Sequence, residues 1–183
     1  MKLSIKKLVT AAVIGALYAA LTLAIAPFAY GSVQFRVSEV LCILPYFFPA
    51  SAAGLTVGCV IANLLGPSSG VFDIVFGSLA TLLAALCTAI IGMRARKTGK
   101  TGWSSCIAAC LMPVIFNAPI VGTVIAYASF MNHTLEEPFW QTAIIFGAQV
   151  GFGEAVVMFA LGLPAIRYLL KNPALRGLLD KQN

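Results

Sequence analysis

Long apolar stretches constrain the fold of this chain more than any other feature of its sequence. They follow one another at residues 8–26, 37–65, 71–93, 104–130 and 139–170. Of the 183 residues, 60% are hydrophobic and only 10% are charged, so too few polar side chains remain to cover a water-soluble globule of this size. Because a bilayer span needs roughly 20 apolar residues, the sequence predicts an integral membrane protein.

The second apolar stretch is long enough to cross the bilayer and return. Pro45 and Pro49 lie in its middle, and proline interrupts a helix because it lacks an amide hydrogen. We therefore expect two short helices, over residues 36–49 and 51–66, with a break near Pro49. The whole chain, residues 1–183, is then a single all-α domain of six transmembrane helices.

The first apolar stretch has one alternative interpretation, a signal peptide, because Lys2, Lys6 and Lys7 precede it. The run is too long for a signal peptide and lacks a clear small-residue cleavage site. Residues 27–34 also have the composition of a loop between two spans. We therefore interpret this stretch as the first transmembrane helix.

Basic residues indicate the orientation of the predicted helices. They form three clusters at helix ends: Lys2, Lys6 and Lys7; Arg94, Arg96, Lys97 and Lys100; and Arg167, Lys171, Arg176 and Lys181. With six spans these clusters share one side of the membrane, and the positive-inside rule makes that side cytoplasmic. The pattern predicts a multi-pass membrane protein with cytoplasmic termini. The net charge of +6 then reflects topology and implies no nucleic-acid partner.

Polar side chains within the apolar stretches are the main candidates for a functional site. A polar group in a span is costly, so it usually faces the protein interior or a water-filled cavity. The candidates project to the outer half of the predicted bundle and are Arg36, Glu39, Asn63, Asp73, Asn117, Gln149 and Glu154. Their shared depth predicts a polar pocket. The inner halves of the same helices are expected to offer only alanine, leucine, glycine and cysteine, which favours a closed cup over a pore.

Two local patterns within this set leave alternatives open. Arg36 and Glu39 are three residues apart on one helical face, so they either pair with each other or jointly contact a ligand. Asn117 lies between Pro113 and Pro119, which either kink the fifth helix or open it and free backbone carbonyls.

Aromatic residues near the predicted outer surface are further candidates. The loop over residues 27–35 includes Gln34 and Phe35, and its mixture of small, polar and aromatic residues suits either a mobile lid or a plain connector. Tyr127 and Trp140 lie where interfacial aromatic residues belong, so they either anchor the protein in the membrane or stack on a ligand.

Small residues recur along several of the predicted helices. The first helix carries an alanine every four residues, at Ala12, Ala16, Ala20 and Ala24. Such a stripe lets another helix approach closely, either within this protein or in a second membrane protein. Two glycine pairs, Gly54 with Gly58 and Gly147 with Gly151, are expected to serve internal packing.

Metal, redox and enzymatic chemistry have little support in the sequence. The five cysteines form no CxxC pair, and His133 is the single histidine, so no metal site or cofactor is expected. A lipid-modifying enzyme would need a nucleophile with its base or a set of metal ligands, which the sequence lacks. A purely structural membrane subunit stays an alternative.

Three sequence segments resemble one family of membrane proteins. QFRVSE at residues 34–39, GCVIANLLG at residues 58–66 and DIVFGSLATL at residues 73–82 are similar to the queuosine-precursor transporter (QueT) family. Residues 113–122 and 153–164 also fit that family, so the resemblance covers almost the whole chain.

This resemblance implies a substrate-binding S component of an energy-coupling factor (ECF) transporter. In such transporters a coupling membrane protein and two ATPases supply the energy, and the chain lacks the GxxxxGK[ST] phosphate-binding loop of an ATPase. The resemblance also implies that Ala12 and Ala16, with Ala20 as a secondary candidate, dock on the coupling protein.

The implied substrate is a deazaguanine, in some forms with a cationic amine. Glu39, Asp73 or Glu154 would accept hydrogen bonds from the ring amide and exocyclic amine, and another of these acids would pair with the cation. The ring carbonyl would be bound by Asn63, Asn117 or Gln149, and Phe35, Tyr127 and Trp140 are stacking candidates. The alternatives are an S component for another vitamin-like solute, or a proton-coupled secondary transporter that uses Asp73 and Glu154.

Overall fold

A computed structural model describes residues 5–31, 33–67, 70–134 and 137–172 of the chain. Lys2, Arg176 and Lys181, which contribute to the predicted orientation, lie outside these residues. Within the described ranges the chain is helical and contains no strand, which confirms the all-α prediction.

The helices differ greatly in length. In chain order they are α1 (Ile5–Ala24), α2 (Ala26–Ala29), a 3₁₀ helix (Val37–Tyr46), α3 (Ser51–Leu65), α4 (Ser78–Lys97), α5 (Trp103–Met131), α6 (Phe139–Val157) and α7 (Leu163–Lys171). One π turn (Asp73–Gly77) precedes α4, and another (Met158–Gly162) joins α6 to α7. Four of the resulting segments in the described ranges are long and apolar enough to cross a membrane: Ile5–Ala24, Asp73–Lys97, Trp103–Met131 and Phe139–Lys171. That the two shorter apolar helices, Val37–Tyr46 and Ser51–Leu65, also cross the membrane stays a prediction.

The second apolar stretch breaks near Pro49, as the sequence predicts. The amides of Phe47 and Phe48 both donate to the carbonyl of Leu44, at 2.9 and 2.8 Å. The hydroxyl of Ser51 then donates to the carbonyl of Phe48 at 2.6 Å as α3 begins. The 3₁₀ form of the preceding segment was not expected. Because it rises about 2.0 Å per residue, ten residues reach roughly 20 Å instead of roughly 15 Å in an α-helix.

Glycines bring α1 and α3 into backbone contact. A Cβ at Gly54 would collide with the backbone of Ala11, and a Cβ at Gly58 would collide with the backbone of Gly15. Only glycine permits this approach, so the predicted packing role of this pair is confirmed.

The second glycine pair acts in the same way between α5 and α6. A Cβ at Gly147 would lie 3.1 Å from the carbonyl oxygen of Ala118, and one at Gly151 would lie 3.0 Å from the Ala118 Cβ. Gly122 of α5 in turn faces the backbone of Gly147. Both predicted pairs therefore mediate packing inside the protein.

The fifth helix runs without interruption from Trp103 to Met131, through Pro113 and Pro119. It is therefore not opened by its prolines. Pro113 has no amide hydrogen to offer the carbonyl of Ala109 one turn earlier, and the hydroxyl of Thr88 in α4 donates to that carbonyl instead, at 3.3 Å. The hydroxyl of Thr88 thus replaces the amide donor that Pro113 lacks.

Each long helix presents large hydrophobic side chains outward. Leu17 of α1, Ile90 of α4, Ile115 of α5 and Phe152 of α6 are all exposed. In water such a surface would be costly, whereas in a bilayer it contacts lipid chains of the same polarity. The buried side chains include an unusual share of polar groups, and these form the candidate site.

Candidate functional site

The carboxylate of Glu39 is fully buried and held by side chains from several elements. The hydroxyl of Tyr18 in α1 donates to its Oε1 atom. The thiol of Cys42 donates to Oε2 at 3.0 Å, and the hydroxyl of Thr81 in α4 donates to Oε1 at 3.4 Å. Both carboxylate oxygens are therefore engaged within the protein.

Arg36 immediately precedes the 3₁₀ helix and is also buried, with 2% of its surface exposed. Its guanidinium lies 5.3 Å from the centroid of the Tyr30 ring, and Nη1 lies 4.0 Å from the sulfur of Cys59. Among the described residues it forms no ion pair with Glu39, one of the two predicted alternatives, and its Nε and Nη2 atoms have no hydrogen-bond partner there. A buried charge without full hydrogen bonding is costly, so these donors indicate a site for a further polar group.

Asn63 and Asp73 meet where α3 faces the π turn. The Asn63 side chain donates to the backbone carbonyl of Asp73 at 3.1 Å and to the sulfur of Cys59 at 3.6 Å. A Cβ at Gly77 would lie 3.0 Å from Asn63 Nδ2 and 3.2 Å from Asp73 Oδ1. The glycine therefore leaves room for both polar side chains.

Glu154 of α6 is a further buried acid of this region. It is 2% exposed, and α6 packs against α5, the helix that carries Asn117. A Cβ at Gly153 would collide with the carbonyl of Gln34, so α6 packs directly against the segment that leads into Arg36.

Three acceptor atoms on α5 and α6 have no hydrogen-bond partner among the described residues. They are Oε1 of Glu154, Oδ1 of Asn117 and Oε1 of Gln149. The first two belong to nearly fully buried side chains, whereas Gln149 is partly exposed. We call Arg36, Glu39, Asn63, Asp73, Asn117, Gln149 and Glu154 the polar cluster.

Sequence reasoning missed several members of this region. They are Tyr18, Thr22, Ser38, Cys42, Cys59 and Thr81, and the hydroxyls of Thr22 and Ser38 lie 2.6 Å apart. Tyr18 and Thr22 are four residues apart and hence on one face of α1. Two polar side chains on one face of an apolar helix are the sequence signal that identifies them.

Tyr18→Phe should lower the unfolding free energy by about 1–2 kcal/mol, because the buried Glu39 carboxylate loses a hydrogen bond while the ring volume is kept. Thermal unfolding in detergent measures the effect. Tyr168→Phe, at a residue that is 63% exposed, is the matched control and should have no effect. Equal melting temperatures for the two variants would contradict the contact with Glu39.

The loop over residues 27–35 is held against α3. Tyr30 donates its hydroxyl to the carbonyl of Ala62 at 2.6 Å, and burial raises the pKa of Tyr30 to about 12, so the donor stays protonated. The amide of Phe35 donates to the carbonyl of Phe28 at 2.9 Å. Gln34 is buried and Phe35 is half-buried. The predicted lid therefore lies beside the polar cluster, although Ser32 falls outside the described residues.

Tyr127 and Trp140 pack against other aromatic rings in the described structure. The Tyr127 ring packs edge-on against Phe72 at 4.9 Å and lines an apolar groove of about 420 Å³. Trp140 is 71% exposed and packs against Phe139 at 5.1 Å. Their roles as stacking residues stay predictions, and the exposure of Trp140 suits the membrane-anchoring alternative.

The alanine stripe of α1 is exposed in the described structure. Ala11 faces α3, whereas Ala12, Ala16 and Ala20 point outward. Ala12 and Ala16 line a shallow groove of about 370 Å³ between α1 and α3. The stripe is therefore available to a second protein, and its docking role stays a prediction.

The half of the bundle that contains Tyr46 and Ser105 is more polar than the sequence predicts. Tyr46 and Ser105 hydroxyls lie 3.0 Å apart, Arg96 donates to the Tyr46 carbonyl, and Thr88 binds the α5 backbone. The expectation of only alanine, leucine, glycine and cysteine there is wrong. Within the described ranges, no set of three or more histidine, cysteine, aspartate or glutamate residues is arranged to hold a metal ion.

Comparison with known proteins assigns the chain to a family. The sequence model described as QueT transporter matches residues 8–171. The queuosine precursor transporter QueT of Lactococcus lactis subsp. cremoris (strain MG1363) is 38% identical over 78 residues, which cover 42% of this chain and 45% of that protein. The alignment thus spans less than half of the relative. No solved structure matches the chain significantly.

The family match agrees with the apolar helices and with the prediction of a transporter instead of an enzyme. It extends over α1 to α7 and includes every residue of the polar cluster. A multi-pass membrane protein accounts for both the exposed apolar surface and the buried polar side chains. The chain belongs to the QueT transporter family.

Proposed function

We propose that this chain is the S component of an ECF transporter in a bacterial plasma membrane, which captures a queuosine precursor outside the cell for ATP-driven uptake. In this proposal six helices cross the membrane, with both termini in the cytoplasm. Family membership and the name of the Lactococcus relative support the transport role and the substrate class.

Buried polar atoms without partners carry this proposal. Within the described residues, Arg36 offers two such donor atoms, and Asn117 and Glu154 each offer one acceptor atom. Leaving one buried polar group unsatisfied costs about 1–3 kcal/mol. A polar ligand that completes these hydrogen bonds would recover that free energy, whereas side chains that serve only helix packing would satisfy one another.

The charge of the polar cluster fits an amine-bearing ligand. In the part of the chain that the structure describes, one basic residue, Arg36, and three acidic residues, Glu39, Asp73 and Glu154, are buried. This excess of acids favours a solute with a cationic amine, which some queuosine precursors carry. A deazaguanine ring supplies both hydrogen-bond donors and a carbonyl acceptor to the remaining groups.

Energy for uptake must come from other proteins in this proposal. The chain has no phosphate-binding loop, so ATP hydrolysis belongs to two partner ATPases, and a coupling membrane protein links them to this chain. The exposed stripe of Ala12, Ala16 and Ala20 forms the docking surface. The loop over residues 27–35 closes over the bound solute before the loaded protein moves.

Binding and uptake together test the proposal. The purified chain in detergent should bind a queuosine precursor by calorimetry, with no partner protein present. Liposomes that contain this chain with the coupling protein and both ATPases should take the solute up only when ATP is supplied. Uptake by the chain alone under a proton gradient would instead establish a secondary transporter, and the absence of binding to any deazaguanine would remove the substrate assignment.

A further inference from the structure

We propose that Glu154 and Arg36 bind adjacent atoms of the ligand ring, and that Glu39 does not contact the ligand. Glu154 accepts hydrogen bonds from a ring N–H group and from the exocyclic amino group beside it. Arg36 donates to the ring carbonyl on the other side of that N–H group. This inference rests on the proposed function and assigns a distinct role to each of these residues.

Glu39 is the acid with the least capacity left for a ligand. Its Oε1 atom accepts from Tyr18 and Thr81, and its Oε2 atom accepts from Cys42. The side chain has no exposed surface. Its partners come from α1, the 3₁₀ helix and α4, so Glu39 joins these elements and positions the segment that begins with Arg36.

Glu154, in contrast to Glu39, retains the capacity to accept a hydrogen bond from a ligand. Its Oε1 atom is buried and has no hydrogen-bond partner among the described residues, and neither has Oδ1 of the neighbouring Asn117. Both atoms are acceptors, and both residues are at least 97% buried, since Glu154 and Asn117 are 2% and 3% exposed. A ligand at this site therefore meets hydrogen-bond acceptors on both α5 and α6, and it must supply donors to them.

Arg36 supplies the complementary donors. Its Nε and Nη2 atoms are buried and lack partners in the described structure. Arg36 lies two residues after Gln34, whose carbonyl meets Gly153, the residue that precedes Glu154. A donor beside an acceptor matches a carbonyl beside an N–H group, as in the 2-amino-4-oxopyrimidine portion of a deazaguanine. A carboxylate that accepts from both the N–H and the amino group forms two charge-assisted hydrogen bonds.

Ligand analogues combined with variants test this assignment. The probes are 7-deazaguanine, its analogue without the amino group and its analogue without the carbonyl oxygen, each measured by calorimetry. We expect the wild-type chain to bind the analogue without the amino group about 10- to 100-fold more weakly, because it lacks one hydrogen bond to a charged group. The analogue without the carbonyl oxygen also lacks the ring N–H group, because its ring nitrogen becomes an acceptor, and it should bind more weakly still. Equal affinity for the three probes would overturn the inference, and this measurement requires no variant.

The Glu154→Gln variant should bind 7-deazaguanine about 10- to 100-fold more weakly and lose the preference for the amino group. Arg36→Lys should reduce the preference for the probe that bears the carbonyl oxygen, and the preference that remains reflects the ring N–H group bound by Glu154. Glu39→Gln should weaken all three probes by the same factor, and the exposed Glu137→Gln and Arg94→Lys are matched controls.

Two results separate this inference from the proposed function. If Glu39→Gln, and not Glu154→Gln, removes the preference for the amino group, the chain still binds deazaguanines and only the assignment of the acids is overturned. If the wild-type chain binds neither the probes nor any queuosine precursor, the proposed function fails and the inference fails with it.

Discussion

Replacing both Ala12 and Ala16 with leucine should abolish uptake while leaving binding of the solute unchanged. Both alanines are exposed on α1, and their side chains point away from the polar cluster, which Tyr18 of the same helix contacts. Leucine would prevent the close approach that small residues allow between membrane helices. Overpacking costs about 1–3 kcal/mol per site, so two sites weaken docking by about 30-fold or more.

Reconstituted liposomes and calorimetry measure the two effects separately. A matched control places leucine at Ala148 and Ala160, which are exposed on α6 and the following π turn, and it should retain both uptake and binding. Full uptake by the Ala12 and Ala16 variant would exclude this stripe as the docking surface. Loss of binding in the same variant would show that α1 serves the solute site directly.

Arg36→Gln should destabilise the protein and weaken solute binding together. Arg36 is buried in the described structure, as are the acids Glu39, Asp73 and Glu154, and removing one partner from a buried charge arrangement costs about 3–5 kcal/mol. The variant also removes donors that the ligand is proposed to use, which should lower its affinity by about 10- to 100-fold.

Thermal unfolding and calorimetry in detergent test the Arg36→Gln prediction. Arg94→Gln is the control, because Arg94 is exposed near the end of α4, and it should leave both quantities unchanged. Saturating solute should raise the melting temperature of the wild-type chain, because a ligand that binds only the folded state stabilises it. A variant with wild-type stability and affinity would show that the buried acids do not depend on Arg36.

Local patterns in the sequence predicted much of the fold. The apolar stretches identified the helices, Pro49 marked the break between two short ones, and the glycine pairs marked close helix contacts. These features depend on neighbouring residues and on helical periodicity, which a single sequence displays directly. The 3₁₀ form of Val37–Tyr46 was not predicted, because 3₁₀ runs longer than three or four residues are uncommon.

The sequence by itself determined that this chain enters a membrane, which residues are buried polar candidates and which family it resembles. Only the tertiary structure decided which of those candidates already have hydrogen-bond partners within the protein. Glu39 contacts Tyr18 across 21 residues and Thr81 across 42 residues, whereas Glu154 keeps an acceptor without a partner in the described structure. Hydrogen bonding depends on side chains brought together from distant helices, so no local pattern distinguishes an engaged carboxylate from one that is open to a ligand.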